Sequence, residues 1–225
     1  MKVRLIAETS NPEYVVTVAA ATCYSDKEYT ELYDKCKDKE YQEKLITKLL
    51  SSGHESPFEH ANFTFFIEGI SRSCSHQLVR HRIASYSQRS QRYTTMKPEE
   101  FNIPESIRNN PHAQSLFEQH LHDTFDLYNE YIEAGIPKED ARAILPNATQ
   151  TTIVMTMNLR ELRHFFNLRM CMRAETEIRE LATEMYKTML IYHPLLLTGS
   201  GPNCWYGKCT EDHKTKHCPA PKIEK

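Results

Sequence analysis

The sequence lacks any long apolar run and any sign of an export segment. No stretch of its 225 residues approaches the roughly 18 consecutive apolar residues of a membrane-spanning helix. The first ten residues, MKVRLIAETS, have no apolar core of the kind that signal peptides carry. We therefore expect a cytoplasmic protein with no membrane partner. Its seven cysteines are then expected to be reduced rather than paired in disulfides.

The chain also has little net charge, no G-x-G-x-x-G motif, no internal repeat and no Gly/Ser-rich linker. A formal net charge of −2 gives no overall bias towards nucleic acid, which we do not expect as a partner. The missing glycine motif gives no support to a Rossmann-type dinucleotide domain. The content of 40% hydrophobic and 26% charged residues is that of an ordinary globular protein. We predict a single domain over residues 1–200 and a polar tail over residues 201–225.

Hydrophobic periodicity predicts strands and long helices that do not alternate strictly. The predicted strands lie at residues 2–7, 62–70 and 151–157. The predicted helices lie at residues 41–51, 114–134, 137–145 and 175–192, with one more after residue 158. Asn158 and Glu161 resemble a capping box, in which each side chain bonds to the backbone amide of the other. The pattern predicts an α+β fold of mixed helices with a small central, largely antiparallel sheet.

Acidic residues are absent from residues 69–98, which carry a cluster of basic ones. The cluster consists of Arg72, Arg80, Arg82, Arg89 and Arg92, with His76 and His81. Unpaired guanidinium groups are costly to bury, so the cluster is either a solvated basic face or an anion site. The planar fork of arginine suits phosphate. The interleaved Ile83, Ala84, Tyr86 and Tyr93 predict that part of the segment is buried beside its charges.

A second basic group follows Asn158 on a predicted helix. Arg160, His164 and Asn167 share one face of that helix at helical spacing, and Arg169 and Arg173 follow them. The packing side is predicted to be Phe165, Phe166 and Leu168. Alone, this group is equally typical of an ordinary surface helix. Two arginine-rich patches in one near-neutral domain fit a ligand with more than one phosphate, or two ligands.

The order of four sequence blocks carries a family resemblance. Arg80-His81-Arg82, followed after seven residues by Ser90, resembles the signature of the flavin-dependent thymidylate synthases. The other blocks are GHESPFEH at residues 53–60, ARAILP at 141–146 and NLRELRHFFNLR at 158–169, and the resemblance covers roughly residues 1–195. Ser87 and Gln88 stand where family members often have Asn and Glu, and His164 stands where some have Asn.

The resemblance implies an enzyme that converts deoxyuridylate (dUMP) to thymidylate (dTMP). Methylenetetrahydrofolate donates the carbon, bound flavin adenine dinucleotide (FAD) reduces it, and NADPH regenerates the flavin. The family is homotetrameric, with sites built from more than one subunit. The implied FAD-binding residues are Ser56, Arg80, His81, Arg82, Gln88, Asn158, Leu159, Arg160 and His164. The implied dUMP-binding residues are Gln77, Arg80, Gln88, Arg89, Ser90, Gln91, Arg92, Arg142 and Arg169.

Carbon 5 of uracil must gain electron density before it attacks the methylene donor. Addition of a cysteine thiolate to the ring is one way to supply this density. None of the seven cysteines lies in a recognisable nucleophile motif, however, and we interpret Cys74 and Cys171 as core residues. Ser90 is the other candidate nucleophile, but a serine hydroxyl needs an adjacent base, and the sequence alone does not supply one. The alternative is that Ser90 binds the phosphate or the pyrimidine of dUMP. We prefer Arg169 as the catalytic residue, because an arginine beside the pyrimidine favours ionisation at ring nitrogen 3. His54 is a second candidate, unless it is structural.

Several interpretations stay open on the sequence alone. Glu55 and Glu59 are either helix caps or flavin contacts. The tail residues Cys204, Cys209, His213, His217 and Cys218 are soft-metal ligand types, but their irregular spacing favours free thiols, and we predict no metal. One rival function is an RNA- or nucleotide-binding module that uses the same basic segment. Another is a flavoprotein reductase with a different substrate.

Overall fold

The structure, a computed structural model, describes residues 1–97, 100–207 and 209. The strands are Lys2–Glu8 (β1), Asn62–Ser71 (β2), Ala84–Gln88 (β3) and Gln150–Asn158 (β4). The α-helices are Pro12–Thr22 (α1), Tyr29–Lys37 (α2), Lys39–Ser52 (α3), Arg72–Leu78 (α4), Glu105–Arg108 (α5), Pro111–Glu133 (α6), Lys138–Ala141 (α7), Leu159–Arg169 (α8) and Thr176–Tyr192 (α9). Short 3₁₀ turns occur at Ser56–His60, Arg142–Ile144 and Asn203–Tyr206.

The four strands form one sheet in the order β1-β2-β4-β3. In the two central strands, alternate residues are buried, which is the period-two pattern of a strand with one face on a core. The Thr64 hydroxyl bonds to that of Thr156, and the amide of Arg72 bonds to the Thr149 carbonyl. Later residues of β2 therefore lie opposite earlier residues of β4, which means that the two strands run antiparallel. The predicted α+β class and small antiparallel sheet are confirmed.

The long predicted helices are also confirmed, within a few residues at each end. Helix α3 buries Ile46 and Leu49 and ends at Gly53, whose φ of 71° is the left-handed conformation that glycine adopts readily. Helix α6 buries Leu121, Phe125 and Tyr128 on one stripe. The predicted helix at 137–145 is shorter, since α7 is followed by the 3₁₀ turn Arg142–Ile144.

The chain forms two compact units. Unit 1 comprises Met1–Lys2, Ile67–Arg80 and Tyr86–Val154, and Phe125, Tyr128 and Ala141 belong to its core. Unit 2 comprises Val3–Phe66, His81–Ser85 and Met155–Lys225. Its buried side chains include Phe63 and Phe65 of β2, Phe165 and Phe166 of α8, and Met185 of α9. The predicted domain boundary at residue 200 stays a prediction.

The start of the predicted tail packs more closely than its polar composition indicated. Trp205 is 8% exposed, and its ring meets that of Tyr186 edge-on at 5.8 Å. Asn167 donates to the Gly201 carbonyl at 3.2 Å and contacts Asn203 at 2.6 Å. The buried Trp205 ring and the hydrogen bonds of Asn167 together attach this segment to unit 2. Among the described residues, no helix is long and apolar enough to cross a membrane.

Candidate active site

In unit 1, Glu139 joins two sequence blocks that lie 50 residues apart. Its carboxylate accepts hydrogen bonds from Arg92 at 2.7 Å, and its backbone carbonyl accepts one from Arg142 Nε at 3.1 Å. Arg92 comes from the loop after β3, and Arg142 from the 3₁₀ turn after α7. The fold therefore brings two predicted dUMP ligands to one place.

Two other predicted ligands, at the end of β3 and the start of the loop that follows it, are held in place by hydrogen bonds. Arg89 makes a two-pronged pair with Glu100, with N–O distances of 3.0 and 3.1 Å, and also donates to the Gln150 carbonyl. The Gln88 amide donates to Ser75 Oγ at 2.9 Å and to a hydroxyl on β4 at 3.2 Å. The N–H groups of Gln88 and Arg89 that make these bonds are therefore occupied by protein acceptors, and the bonds hold the start of the loop in position.

The role of Arg72 in this cluster was not predicted. This half-buried arginine has a guanidinium pKa below its ordinary value, because burial and then the positive charges of Arg142 and Arg89 disfavour a further charge there. Among the described residues, no carboxylate pairs with it. The one feature of the sequence that indicated a role for Arg72 is its position in the segment 69–98, which has no acidic residue. Positive charge that the described residues leave uncompensated is what an anion site requires.

Apart from Arg169, which lies in unit 2, the remaining residues of the predicted dUMP set belong to unit 1 as well. Gln77 lies near the end of α4 and Arg80 is exposed just beyond it. The Ser90 hydroxyl accepts the backbone amide of Arg92 at 3.2 Å, and so closes a turn. Gln91 lies in the same turn and is half-exposed.

In unit 2, the turn Ser56–His60 lies against the start of α8. Glu59 forms an ion pair with Arg160, and Glu55 approaches the same guanidinium at 3.8 Å. The Glu59 bond raises the pKa of Arg160 above its ordinary value. Both carboxylates therefore face Arg160, and Glu55 makes no capping bond to the turn. Ser56 and His54 are exposed beside them.

The start of α8 fulfils half of the predicted capping box. Asn158 Oδ1 accepts the amide of Glu161 at 2.9 Å, as expected. The Glu161 carboxylate, however, bonds to His81 instead of returning to the cap. Leu159 is fully buried, whereas Arg160 and His164 are exposed on the outer face of α8.

His81 is the buried member of the Arg-His-Arg motif. It is 5% exposed and contacts Glu161 through Nδ1 at 2.9 Å and Arg169 through Nε2 at 3.1 Å. Burial, followed by the charge of Arg169, lowers the pKa of the imidazole below its ordinary value, although Glu161 acts in the opposite direction. Arg82 is exposed, and neither Arg82 nor Arg80 has an ion-pair partner in the described part of the chain.

Part of the basic segment is buried as predicted, since Ala84 and Tyr86 are half-buried, but Ile83 and Tyr93 are 67% and 75% exposed and do not contribute. The expectation that Leu168 packs α8 was wrong, because this residue is 46% exposed. Cys74 is buried as predicted, but Cys171 is not a core residue. It lines an open cavity of about 380 Å³ together with Arg169, Arg173 and Cys204.

No cluster of metal-ligand side chains is present in the described residues. Cys204 and Cys209 are half-buried beside the cavity. His213, His217 and Cys218 of the predicted tail set lie outside the described residues. The expectation of no metal stays a prediction.

Comparison with known proteins gives this arrangement a family. The profile of the thymidylate synthase complementing proteins matches residues 4–195. A flavin-dependent thymidylate synthase from Geobacter sulfurreducens is 45% identical over 217 residues, which is 96% of this chain and 93% of the relative. The chain belongs to this family. Another member, the flavin-dependent thymidylate synthase of Pyrococcus horikoshii, is 51% identical over 189 residues, or 82% of this chain and 77% of that protein.

The fold of this family member is also found in a solved structure. The UMP/dUMP methylase PolB from Streptomyces cacaoi superimposes with a TM-score of 0.71 over 89% of this chain and 95% of that one. At 23% identity, that likeness concerns the fold. The family resemblance recognised in the four sequence blocks is confirmed by the profile and the relatives.

Within each unit of this thymidylate synthase family member, predicted residues from separate blocks meet. Unit 1 gathers Arg92 and Arg142, and unit 2 gathers the Ser56–His60 turn with α8 and His81 with Arg169. Arg80 and Arg142 belong to unit 1, whereas Arg169 belongs to unit 2. The convergence of these three arginines on one ligand stays a prediction.

Proposed function

We propose that this enzyme converts dUMP to dTMP, with methylenetetrahydrofolate as carbon donor, FAD as hydride carrier and NADPH as reductant of the flavin. The observation that carries the proposal is the 45% identity to a flavin-dependent thymidylate synthase over nearly the whole of both chains. The neighbour in fold is a UMP/dUMP methylase bound with 5-Br dUMP, which agrees with a pyrimidine nucleotide as substrate here.

The cation cluster of unit 1 supports a phosphate site for dUMP. Arg142 and Arg72 lie close enough for the charge of one to lower the pKa of the other. A phosphate dianion between such groups replaces water with charge-assisted hydrogen bonds. The proposed dUMP residues are Gln77, Arg80, Gln88, Arg89, Ser90, Gln91, Arg92, Arg142 and Arg169. Within that set, Gln88 and Arg89 shape the loop through Ser75 and Glu100.

The residues proposed for FAD fit a ligand with two phosphates. Arg80 and Arg82 are both exposed and have no ion-pair partner among the described residues, while the histidine between them is buried. Two open guanidinium groups suit a pyrophosphate, and the exposed side of α8 offers polar side chains. The proposed FAD residues are Ser56, Arg80, His81, Arg82, Gln88, Asn158, Leu159, Arg160 and His164.

The proposed chemistry depends on charge placed beside the pyrimidine. Bound flavin, once reduced, supplies the hydride. Arg169 stabilises negative charge that develops on the uracil ring when nitrogen 3 ionises, so carbon 5 becomes nucleophilic. Arginine stays protonated throughout and gives up no proton. His54, exposed after α3, is proposed to contact the reacting groups, and Ser90 to bind dUMP.

A homotetramer with shared sites is part of the proposal. Ile83 and Tyr93, both within the basic segment, are among the most exposed large apolar side chains of the described residues. Contact with other subunits would cover such side chains and supply residues to one site from separate chains.

The purified protein tests the proposal directly. We expect flavin absorbance, and tritium release from 5-labelled dUMP that depends on methylenetetrahydrofolate and NADPH. Flavin without tritium release points to a reductase of another substrate. Absence of flavin, with binding to RNA that weakens steeply in salt, points to a nucleic-acid module.

A further inference from the structure

Three side chains of unit 2 form a continuous hydrogen-bonded chain that ends on Arg169. Glu161 Oε1 lies 2.9 Å from His81 Nδ1, and His81 Nε2 lies 3.1 Å from Arg169 Nε. Glu161 and His81 are 8% and 5% exposed, so water competes little for these bonds. Glu161 and Arg169 lie two turns apart on α8, and His81 bridges them from the Arg-His-Arg motif.

The hydrogen bond from Arg169 identifies which tautomer of His81 is present. The Nε–H of an arginine can only donate, so His81 Nε2 must accept and carries no proton. The single proton of the neutral ring then sits on Nδ1 and is donated to Glu161. The lowered pKa of His81 agrees with a neutral ring.

Packing holds the ring of His81 in this orientation. The Phe165 ring meets it edge-on, with centroids 5.0 Å apart and planes at 83°, and the His164 ring lies at 6.0 Å. A half-turn of the His81 ring would place carbon atoms where Nδ1 and Nε2 now lie, and would break the bonds to Glu161 and Arg169. The acceptor offered to Arg169 therefore has both a fixed position and a fixed lone pair.

We propose that Glu161 and His81 are positioning residues for Arg169. Glu161 selects the tautomer of His81, and His81 then holds the Nε–H of Arg169, which sets the plane of the guanidinium. An oriented donor stabilises developing charge without reorganising during the reaction. This inference rests on the proposed function, in which Arg169 acts on the pyrimidine.

The first test reads the tautomer and needs no turnover. Solid-state ¹⁵N spectra of protein labelled only in its histidines separate imidazoles protonated at Nδ1 from those protonated at Nε2. The signals of His81 are those that His81→Asn removes. We expect Nδ1–H in the unmodified protein, and a shift towards Nε2–H in Glu161→Leu. Protonation of His81 at Nε2, or at both nitrogens, in the unmodified protein overturns the proposal.

The second test compares two substitutions of Glu161. Glu161→Gln keeps an oxygen that accepts from Nδ1–H, whereas Glu161→Leu, of similar size, offers none. For Glu161→Leu we expect a loss of roughly 10- to 100-fold in kcat, the scale on which small misplacements act, with flavin content retained. The KM for dUMP should change by less than about threefold, because the orientation of Arg169 matters for the charge that develops in the transition state and not for ground-state binding. Glu161→Gln should keep at least half of the activity. An equal loss in both variants overturns the proposal.

A double-mutant cycle ties the effect to Arg169. If Glu161 acts through Arg169, Glu161→Leu lowers the residual rate of Arg169→Ala by less than about twofold, since the two changes remove one interaction. A further loss as large as in the parent enzyme overturns the positioning role. If the unmodified protein forms no dTMP, the proposed function fails, and the tautomer test still decides whether Glu161 sets the state of His81.

Discussion

Arg169 has two connections in unit 2 that bear on its role. Its Nε–H is held by His81, and the residue lines the open cavity, where a ligand has access to it. We predict that Arg169→Ala binds flavin nearly normally but loses about 3–4 kcal/mol of barrier lowering, or roughly 10²- to 10³-fold in kcat. Flavin absorbance and tritium release measure the two effects. Arg169→Lys should rescue little, because lysine keeps the charge but not the Nε–H or the planar fork. Near-normal turnover of Arg169→Ala would remove it from the chemistry.

Ser90 uses its hydroxyl oxygen to close a turn, with Arg92 N as donor at 3.2 Å. A serine nucleophile needs a base beside its hydroxyl. No carboxylate or imidazole bonds to it in the described part of the chain. We predict that Ser90→Ala raises the KM for dUMP by about 5- to 20-fold, the loss of one or two hydrogen bonds, and leaves measurable turnover. Complete inactivity with unchanged dUMP binding would support the nucleophile instead.

Gly201 is a position where a side chain has no room. Its φ is +110°, and a Cβ would lie 2.6 Å from the Trp205 ring. We predict that Gly201→Ala lowers the free energy of unfolding by about 1–3 kcal/mol, from backbone strain and overpacking together. Trp205 is the single tryptophan of the chain, so a red shift of tryptophan emission reports its displacement.

The matched control for this change is Gly207→Ala, at φ +68° with no atom within 4 Å of the added Cβ. It tests the backbone conformation without the clash. We expect it to unfold at a higher temperature than Gly201→Ala and to keep the parent emission spectrum. Equal effects of the two substitutions would show that the contact with Trp205 is unimportant.

At the scale of elements, a partly buried cluster around His193 connects β1, α1 and the end of α9. His193 Nε2 lies 2.7 Å from Glu8, and Nδ1 lies 3.0 Å from Glu13. Burial favours the neutral ring, but the two carboxylates outweigh it and raise the pKa of His193. Burial also works to raise the pKa of Glu13, yet His193, with help from Lys39, lowers it overall.

These shifts predict how stability depends on pH. Because its folded pKa is raised, His193 contributes fully below its unfolded pKa, and the contribution is lost as pH rises through the folded value. Glu13 contributes above its unfolded pKa and loses this as pH falls through its lowered folded value. We predict that His193→Gln costs about 2 kcal/mol near pH 6 and less at alkaline pH. Thermal melts from pH 5 to 9 measure this, with the exposed His122→Gln as control. A constant difference across that range would contradict the ion pair.

Which elements the sequence predicts depends on what stabilises them. Periodicity located α3, α6 and β4, since each buries a regular stripe of its own. Periodicity did not identify α1. Its run Val15-Val16-Thr17-Val18 consists of residues that favour strands, and the segment is helical because Val16 and Thr17 pack into the core. The exposure of Ile83 and Tyr93 was missed for a similar reason, because composition does not say what covers a side chain.

The same limit applies to the site. The acid-free segment and the family blocks identified the cations, but their counterions come from elsewhere in the chain. Arg89 is paired with Glu100, and Arg92 with Glu139. The bond between His81 and Glu161 joins residues 80 positions apart. Capping rules, which use neighbours alone, assigned that carboxylate to the wrong partner.

At the scale of the whole molecule, the proposed tetramer makes a prediction about mixed subunits. Arg142→Ala and Arg169→Ala should each be nearly inactive. If one site takes Arg142 from one subunit and Arg169 from another, some sites in mixed tetramers keep both residues. Random one-to-one mixing then restores about a quarter of the parent activity, because each residue is present with a probability of one half.

Co-expression with two affinity tags yields mixed tetramers, and light scattering checks that their size equals that of the parent. The control is the variant that carries both substitutions, co-expressed with either single one, which should restore nothing because one residue is then absent from every site. No recovery in the mixture of single variants would mean that both arginines of a site come from the same chain. The part of the proposal in which subunits share sites would then fail, whereas the equal size of the mixed and parent assemblies would leave the tetramer itself supported.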